Sequence, residues 1–106
     1  MIKINKKENR KVEFGLSEEI INKIKGITKK YNKYQFKIFG SRVKNTYKST
    51  SDIDIAVFSN VEYEEEYKIR NEFDLLDTIY KIDIVFINDN TKKEFLEEIQ
   101  KEGVLI

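Results

Sequence analysis

Apolar and polar positions along the chain switch repeatedly between a helical period and a strand period, and the switches mark the expected elements. Leu16, Ile20, Ile24, Ile27 and Tyr31 recur three or four residues apart and predict a helix over about 17–32. Ser17 suits its N-cap, with Glu18 and Glu19 in the first turn, where the helix dipole favours acids. Gln35–Phe39 reads as a short strand that Gly40 ends. Ser41 to about Tyr47 is expected as a short helix or turn, and Lys48–Ser51 as a polar loop. Asp52–Phe58 is the second strand, with Ile53, Ile55 and Val57 on one face and Asp52, Asp54, Ala56 and Phe58 on the other. Glu62–Tyr80 reads as an amphipathic helix whose stripe is Ile69, Phe73, Leu76 and Tyr80. Lys81–Ile87 is the third strand, apolar except for Asp83. Thr91 is placed to cap a last helix reaching about Lys101, with Phe95 and Ile99 inward. Gly103 ends it, and Val104–Ile106 forms an apolar tail able to pack back on the core. Residues 1–15, charged and only weakly alternating, are expected as a flexible arm or an edge strand ahead of a domain at 16–106. The order α-β-α-β-α-β-α predicts an α/β fold around one sheet.

Composition narrows the chemistry. The 106 residues suffice for one domain with a single core. The chain has no cysteine, which excludes disulfides, thiol nucleophiles and Cys-type zinc sites. It also has no histidine, so catalysis has only carboxylates, hydroxyls, lysine, arginine and a bound ion to draw on. Apolar runs are far shorter than a membrane span, and the N-terminal residues Met1–Lys7 lack the apolar stretch of a secretory signal. A cytoplasmic protein without membrane contact is expected.

The net charge of +1 conceals a segregation. Nine Lys or Arg and no acid fall between Lys23 and Ser51, whereas Asp52 to Ile106 holds fifteen acids and six bases. Solvated helix faces account for such a pattern; so would an anion-attracting rim beside an acidic surface suited to a basic partner.

Asp52-Ile53-Asp54 is the sharpest feature. Residues i and i+2 of a strand point the same way, roughly 7 Å apart. Two carboxylates on one face of an apolar strand repel each other and are costly to bury alone. A hard divalent cation between them removes that cost, and oxygen-only ligand sets suit Mg²⁺ or Mn²⁺. Asp83 interrupts a second apolar strand and can join them if the two strands are neighbours. Gly40-Ser41, at the end of a strand and the start of a helix, lets backbone N–H groups and a hydroxyl approach a phosphate. Arg42, Lys44 and Lys48 follow closely and could meet its remaining charge. Tyr31, Tyr34, Phe36 and Phe39 read as core or core-edge aromatics rather than base-stacking platforms, and Tyr47 as a turn tyrosine.

Gly40-Ser41, ten intervening residues, then Asp52-Ile53-Asp54 together resemble the Gly-Ser-x10-Asp-x-Asp signature of the DNA polymerase β-like nucleotidyltransferase superfamily. Ser51–Val57, Lys81–Val85 and the ending Glu102–Ile106 are similar to the minimal nucleotidyltransferases (MNT) of prokaryotes, so the resemblance spans roughly 16–106. It implies the nucleotidyltransferase fold, a small mixed sheet flanked by helices. It implies ATP as substrate and two Mg²⁺ ions, with Mn²⁺ as a substitute. Asp52, Asp54 and Asp83 would be the metal ligands and catalytic carboxylates, and Gly40, Ser41 and Arg42 the nucleotide-binding residues. MNT proteins commonly serve as antitoxins to helical HEPN ribonuclease toxins, some by moving AMP onto a toxin tyrosine. The implied partner is therefore a HEPN toxin in a hetero-oligomer, without direct nucleic-acid binding. Two other readings stay open: a non-catalytic antitoxin that occludes its toxin, and a transferase for a small-molecule or RNA acceptor.

Overall fold

The computed structural model of the chain describes residues 13–58 and 60–106. Most of the expected N-terminal arm, residues 1–12, lies outside the described residues. Glu13 and Leu16 close a small antiparallel bridge around Phe14 and Gly15.

Helix α1 spans Glu18–Lys30, and the Ser17 hydroxyl accepts the Ile20 N–H at 3.4 Å as its cap. Strand β1 is Gln35–Phe39, followed by the one-turn helix α2 (Ser41–Lys44). Strand β2 is Ile53–Phe58, α3 is Tyr63–Asp74 and β3 is Ile82–Phe86. Helix α4 (Lys93–Glu102) leads into a two-residue strand β4, Val104–Leu105.

The sheet is mixed, in the order β3-β2-β1-β4. β1 runs antiparallel to both β2 and β4, and β2 runs parallel to β3 through the α3 crossover. This is the mixed, helix-flanked sheet that the sequence led us to expect.

The strict alternation in β2 divides the interior. Ile53, Ile55 and Val57 face α1 and α3 and join Ile20, Ile24, Ile69 and Phe73 in the larger core. Ala56 faces the other way, towards Phe39, Ile87 and Ile99, beneath α4. Ile24, Ile38, Ile53, Ile55 and Ile69 are fully buried, each worth about 1.5–3 kcal/mol of burial. Ring contacts knit the layers: Phe36 to Phe73 at 6.3 Å, and Phe39 edge-on to Phe95 at 5.7 Å.

Three expectations are corrected. Helix α3 ends at Asp74, not Tyr80. Its last turn carries no base, and Asp74 and Asp77 sit where the dipole disfavours acids. Leu76 and Tyr80 nevertheless pack on the core from the following turn, so the periodic stripe outlasts the helix. Thr91 does not cap α4; its hydroxyl accepts the Asn88 N–H at 3.0 Å within a preceding turn, and Lys92 takes the cap position. The C-terminal tail is a fourth strand, with Ile106 N–H donating to the Phe36 carbonyl at 3.0 Å. Ile106 packs on the larger core, while Val104 and Leu105 remain exposed on the edge.

The charge segregation resolves in part into cross-element pairs. Lys30 and Tyr31 both bond Glu72, and Lys33 and Tyr34 both bond Glu65, which ties the basic end of α1 to α3. Lys44 reaches Glu98 at 3.1 Å and Glu102 at 3.5 Å on α4. It is thereby committed to α4 rather than to a shared anion-attracting rim.

Candidate active site

Strand register decides which acids meet. In the parallel β2–β3 ladder Asp54 pairs with Asp83, so the two side chains share the sheet face occupied further along by Ala56 and Val85. Asp52, two residues before Asp54, lies just ahead of β2 at the same rim. In the antiparallel β1–β2 ladder Phe39 pairs with Asp54, which brings Gly40 beside the Asp54 carboxylate. Gly40 has φ +83°, a conformation open to glycine. A Cβ there would sit 2.5 Å from Asp54 Oδ2. The glycine therefore both turns the chain into α2 and leaves the room that the carboxylate occupies. Ser41 opens α2 immediately afterwards, and the Gly40 carbonyl accepts the N–H groups of Val43 and Lys44 at 3.1 and 3.2 Å.

Electrostatically the rim is strained by like charge. Partial burial pushes the Asp54 carboxyl above its ordinary value, and the neighbouring Asp83 and Asp52 push it further in the same direction. Asp83 is half-exposed and has Lys81 Nζ 3.7 Å from its Oδ1. The rim thus offers hard oxygen donors, a surplus of negative charge and a glycine cradle, a donor set that fits a hard divalent cation. Among the described residues, no three acids stand close enough together to hold one ion. The backbone brings Asp54 and Asp83 abreast, while the carboxylates as placed do not converge on a point.

Arg42 stands elsewhere than expected. Its side chain is 1% exposed and spends its N–H groups on the carbonyls of Phe14, Ser49 and Ser51. Its guanidinium is turned into the protein, so a direct bond from that group to a nucleotide phosphate does not agree with its position. Lys44 is engaged with α4, and Lys48 is exposed on the loop between the two motif halves. A cleft of about 880 Å³ opens between α1 and α3, on the sheet face away from the carboxylates. Lys30, Tyr31, Glu65 and Glu72 line it, and all four are already engaged across the helices, Lys30 and Tyr31 with Glu72 and Glu65 with Lys33 and Tyr34. Chemistry is therefore sought at the carboxylate rim rather than in this cleft.

The Gly-Ser turn and the Asp pair lie at one end of adjacent strands, with the third acid in register beside them. A family model described as polymerase beta, nucleotidyltransferase, matches residues 22–106. The chain belongs to this family. No curated protein matches it. Nucleotidyl transfer is the reaction of the polymerase β-type nucleotidyltransferases, and a nucleoside triphosphate with a divalent metal is what they use. In this nucleotidyltransferase domain, the matched span holds Gly40, Ser41, Asp52, Asp54 and Asp83 together. The buried packing of Arg42 between Tyr47 and Tyr80 was not foreseen from the sequence. An arginine flanked by a loop tyrosine five residues on and by Tyr80 from a distant turn carries no period or spacing that would reveal it. None of the helices among the described residues is long and apolar enough to cross a membrane.

Proposed function

We propose that this domain is a minimal nucleotidyltransferase antitoxin that moves AMP from ATP to a tyrosine hydroxyl of a HEPN-type toxin. The observation that carries the transferase reading is the in-register pairing of Asp54 with Asp83 beside the Gly40-Ser41 turn. Asp52 and Asp54 would hold the metal that accompanies the triphosphate, and Asp83 would join them in holding a second that activates the acceptor hydroxyl. Gly40 and Ser41 hold the terminal phosphates. When bound, Mg²⁺ supplies charge neutralisation on the leaving group and lowers the pKa of the acceptor hydroxyl. The acceptor oxygen bonds to the α-phosphorus in line with the departing oxygen, and pyrophosphate leaves. With no histidine in the chain, the hydroxyl proton passes to a carboxylate or to water.

A protein acceptor is supported by the outer side of α3 and the turn after it. Tyr63, Tyr67, Leu75 and Ile79 are between 66% and 93% exposed there, beside Glu62, Glu64 and Asp74. Exposed apolar groups of this size mark surfaces that another protein covers. On this reading the activity belongs in the cytoplasm, where ATP is supplied.

The test mixes the purified chain, MgATP and a small helical protein bearing an Arg-x4-6-His motif, sought among the products of the genes next to its own. An AMP-sized mass gain on a tyrosine of that protein is expected, absent with Asp52→Asn and with Asp83→Asn. An unmodified toxin in a stable complex would refute catalysis. That outcome would favour a second reading, neutralisation by occlusion alone, which the unconverged carboxylates support. Occlusion predicts that the Asp52→Asn, Asp54→Asn double variant still silences the toxin.

A further inference from the structure

Arg42 carries a charge at 1% exposure, and its surroundings account for it almost completely. Nη2 donates to the Ser51 carbonyl at 2.8 Å and Nε to the same oxygen at 3.3 Å. Nη2 also reaches the Ser49 carbonyl at 3.4 Å, and Nη1 the Phe14 carbonyl at 2.9 Å. The guanidinium carbon lies 5.1 Å from the centre of the Tyr47 ring and 4.9 Å from that of Tyr80. Tyr47 in turn lies against Gly15, where any Cβ would collide with its ring.

These contacts converge on the candidate active site from three directions. Arg42 follows Ser41 directly. The Ser51 carbonyl, which takes two of its hydrogen bonds, belongs to the residue before Asp52. Tyr80 leads into β3 three residues before Asp83, and the next residue, Lys81, accepts the Ile53 N–H at 2.9 Å. We propose that Arg42 is a positioning residue: its buried fork fixes the phosphate-binding turn against Asp52 and the start of β3. This rests on the nucleotidyltransferase reading of the site. Arginine suits the task because its planar fork binds several carbonyls at set angles and stacks on rings, whereas a lysine ammonium does neither. Arg42 is adjacent to the chemistry without touching the nucleotide, and its loss acts through the spacing of Ser41 and Asp52.

The test titrates Mg²⁺ with α,β-methylene-ATP, which cannot react at the α-phosphorus, and reads the rise in Tm. The proteins are wild type, Arg42→Lys, Arg42→Met, and Ile24→Val as a core-destabilised control. Wild type and the control are expected to titrate with the same midpoint although the control melts lower. Both Arg42 variants are expected to need about 10–100-fold more Mg²⁺-nucleotide, the range seen when groups behind metal ligands are removed. Equal midpoints in wild type and the Arg42 variants would overturn the positioning role and leave the nucleotidyltransferase reading intact. If neither Arg42 variant folds, Tyr80→Leu removes one face of the stack; a shifted midpoint supports the proposal and an unshifted one overturns it. No response in wild type would remove the functional reading and this proposal with it.

Discussion

Replacing Asp54 with asparagine should make the metal-free protein more stable, not less. Asp54 is partly buried, and the charges acting on it are those of Asp83 and Asp52. Adjacent strands lie about 4.8 Å apart and i, i+2 side chains about 7 Å. At those separations two like charges repel by about 0.9 and 0.6 kcal/mol in bulk water, and by about twice that at an effective dielectric of about 40. Part of the Asp52–Asp54 repulsion persists in the unfolded chain. The net gain on removing the Asp54 charge is therefore about 1 kcal/mol, a Tm rise of about 4–8 °C for a domain of this size. Thermal unfolding in a metal-free, low-salt buffer reads it. The rise should shrink in about 1 M NaCl, where the screening length falls to about 3 Å. Mg²⁺ should raise the Tm of wild type and do little for Asp54→Asn. An Asp54→Asn protein that melts below wild type, or that gains as much from Mg²⁺, would refute the like-charge account of the rim.

Gly40→Ala is expected to lower stability by about 1–3 kcal/mol, because it forces a side chain into a left-handed conformation and against Asp54 Oδ2 at 2.5 Å; denaturant unfolding measures it, and an unchanged midpoint would contradict the contact. Glu65 and Glu72 should make stability pH-dependent. The Tyr34 and Lys33 hydrogen bonds hold Glu65, and the Lys30 and Tyr31 hydrogen bonds hold Glu72, below the ordinary carboxyl value of 4.5. For acids depressed in the folded state, the stabilisation is present above pH 4.5 and is lost as pH falls through the lower folded values. Melting temperatures followed downward from about pH 6 should drop below that point, and the Glu65→Gln, Glu72→Gln variant should show a flatter profile.

Much of this architecture was legible because its signals are local. Gln35–Phe39 is bounded by a glycine, and the alternation of Asp52–Phe58 states which side is buried; both strands fall within a residue of expectation. The meeting of Asp54 with Asp83 was only conditional in the sequence, since it depends on β2 and β3 being neighbours. What stayed hidden depends on tertiary partners. Val104 and Leu105 are exposed and too few to show a period; they become a strand because β1 offers a free edge. The end of α3 was masked because Leu76 and Tyr80 pack, partly buried, against the core without helical backbone. Arg42, next to Ser41 in a basic stretch, looks like an anion ligand until Phe14, Ser51 and the two tyrosines are folded around it.

Calorimetric titration of α,β-methylene-ATP into the protein, with Mg²⁺ and then with EDTA, tests the central claim most directly. Binding is predicted in Mg²⁺ alone, lost in EDTA and weakened at least about tenfold in Asp52→Asn and Asp83→Asn. Heat that is the same in EDTA, or unchanged in both variants, would place the nucleotide somewhere other than the carboxylate rim and contradict the account.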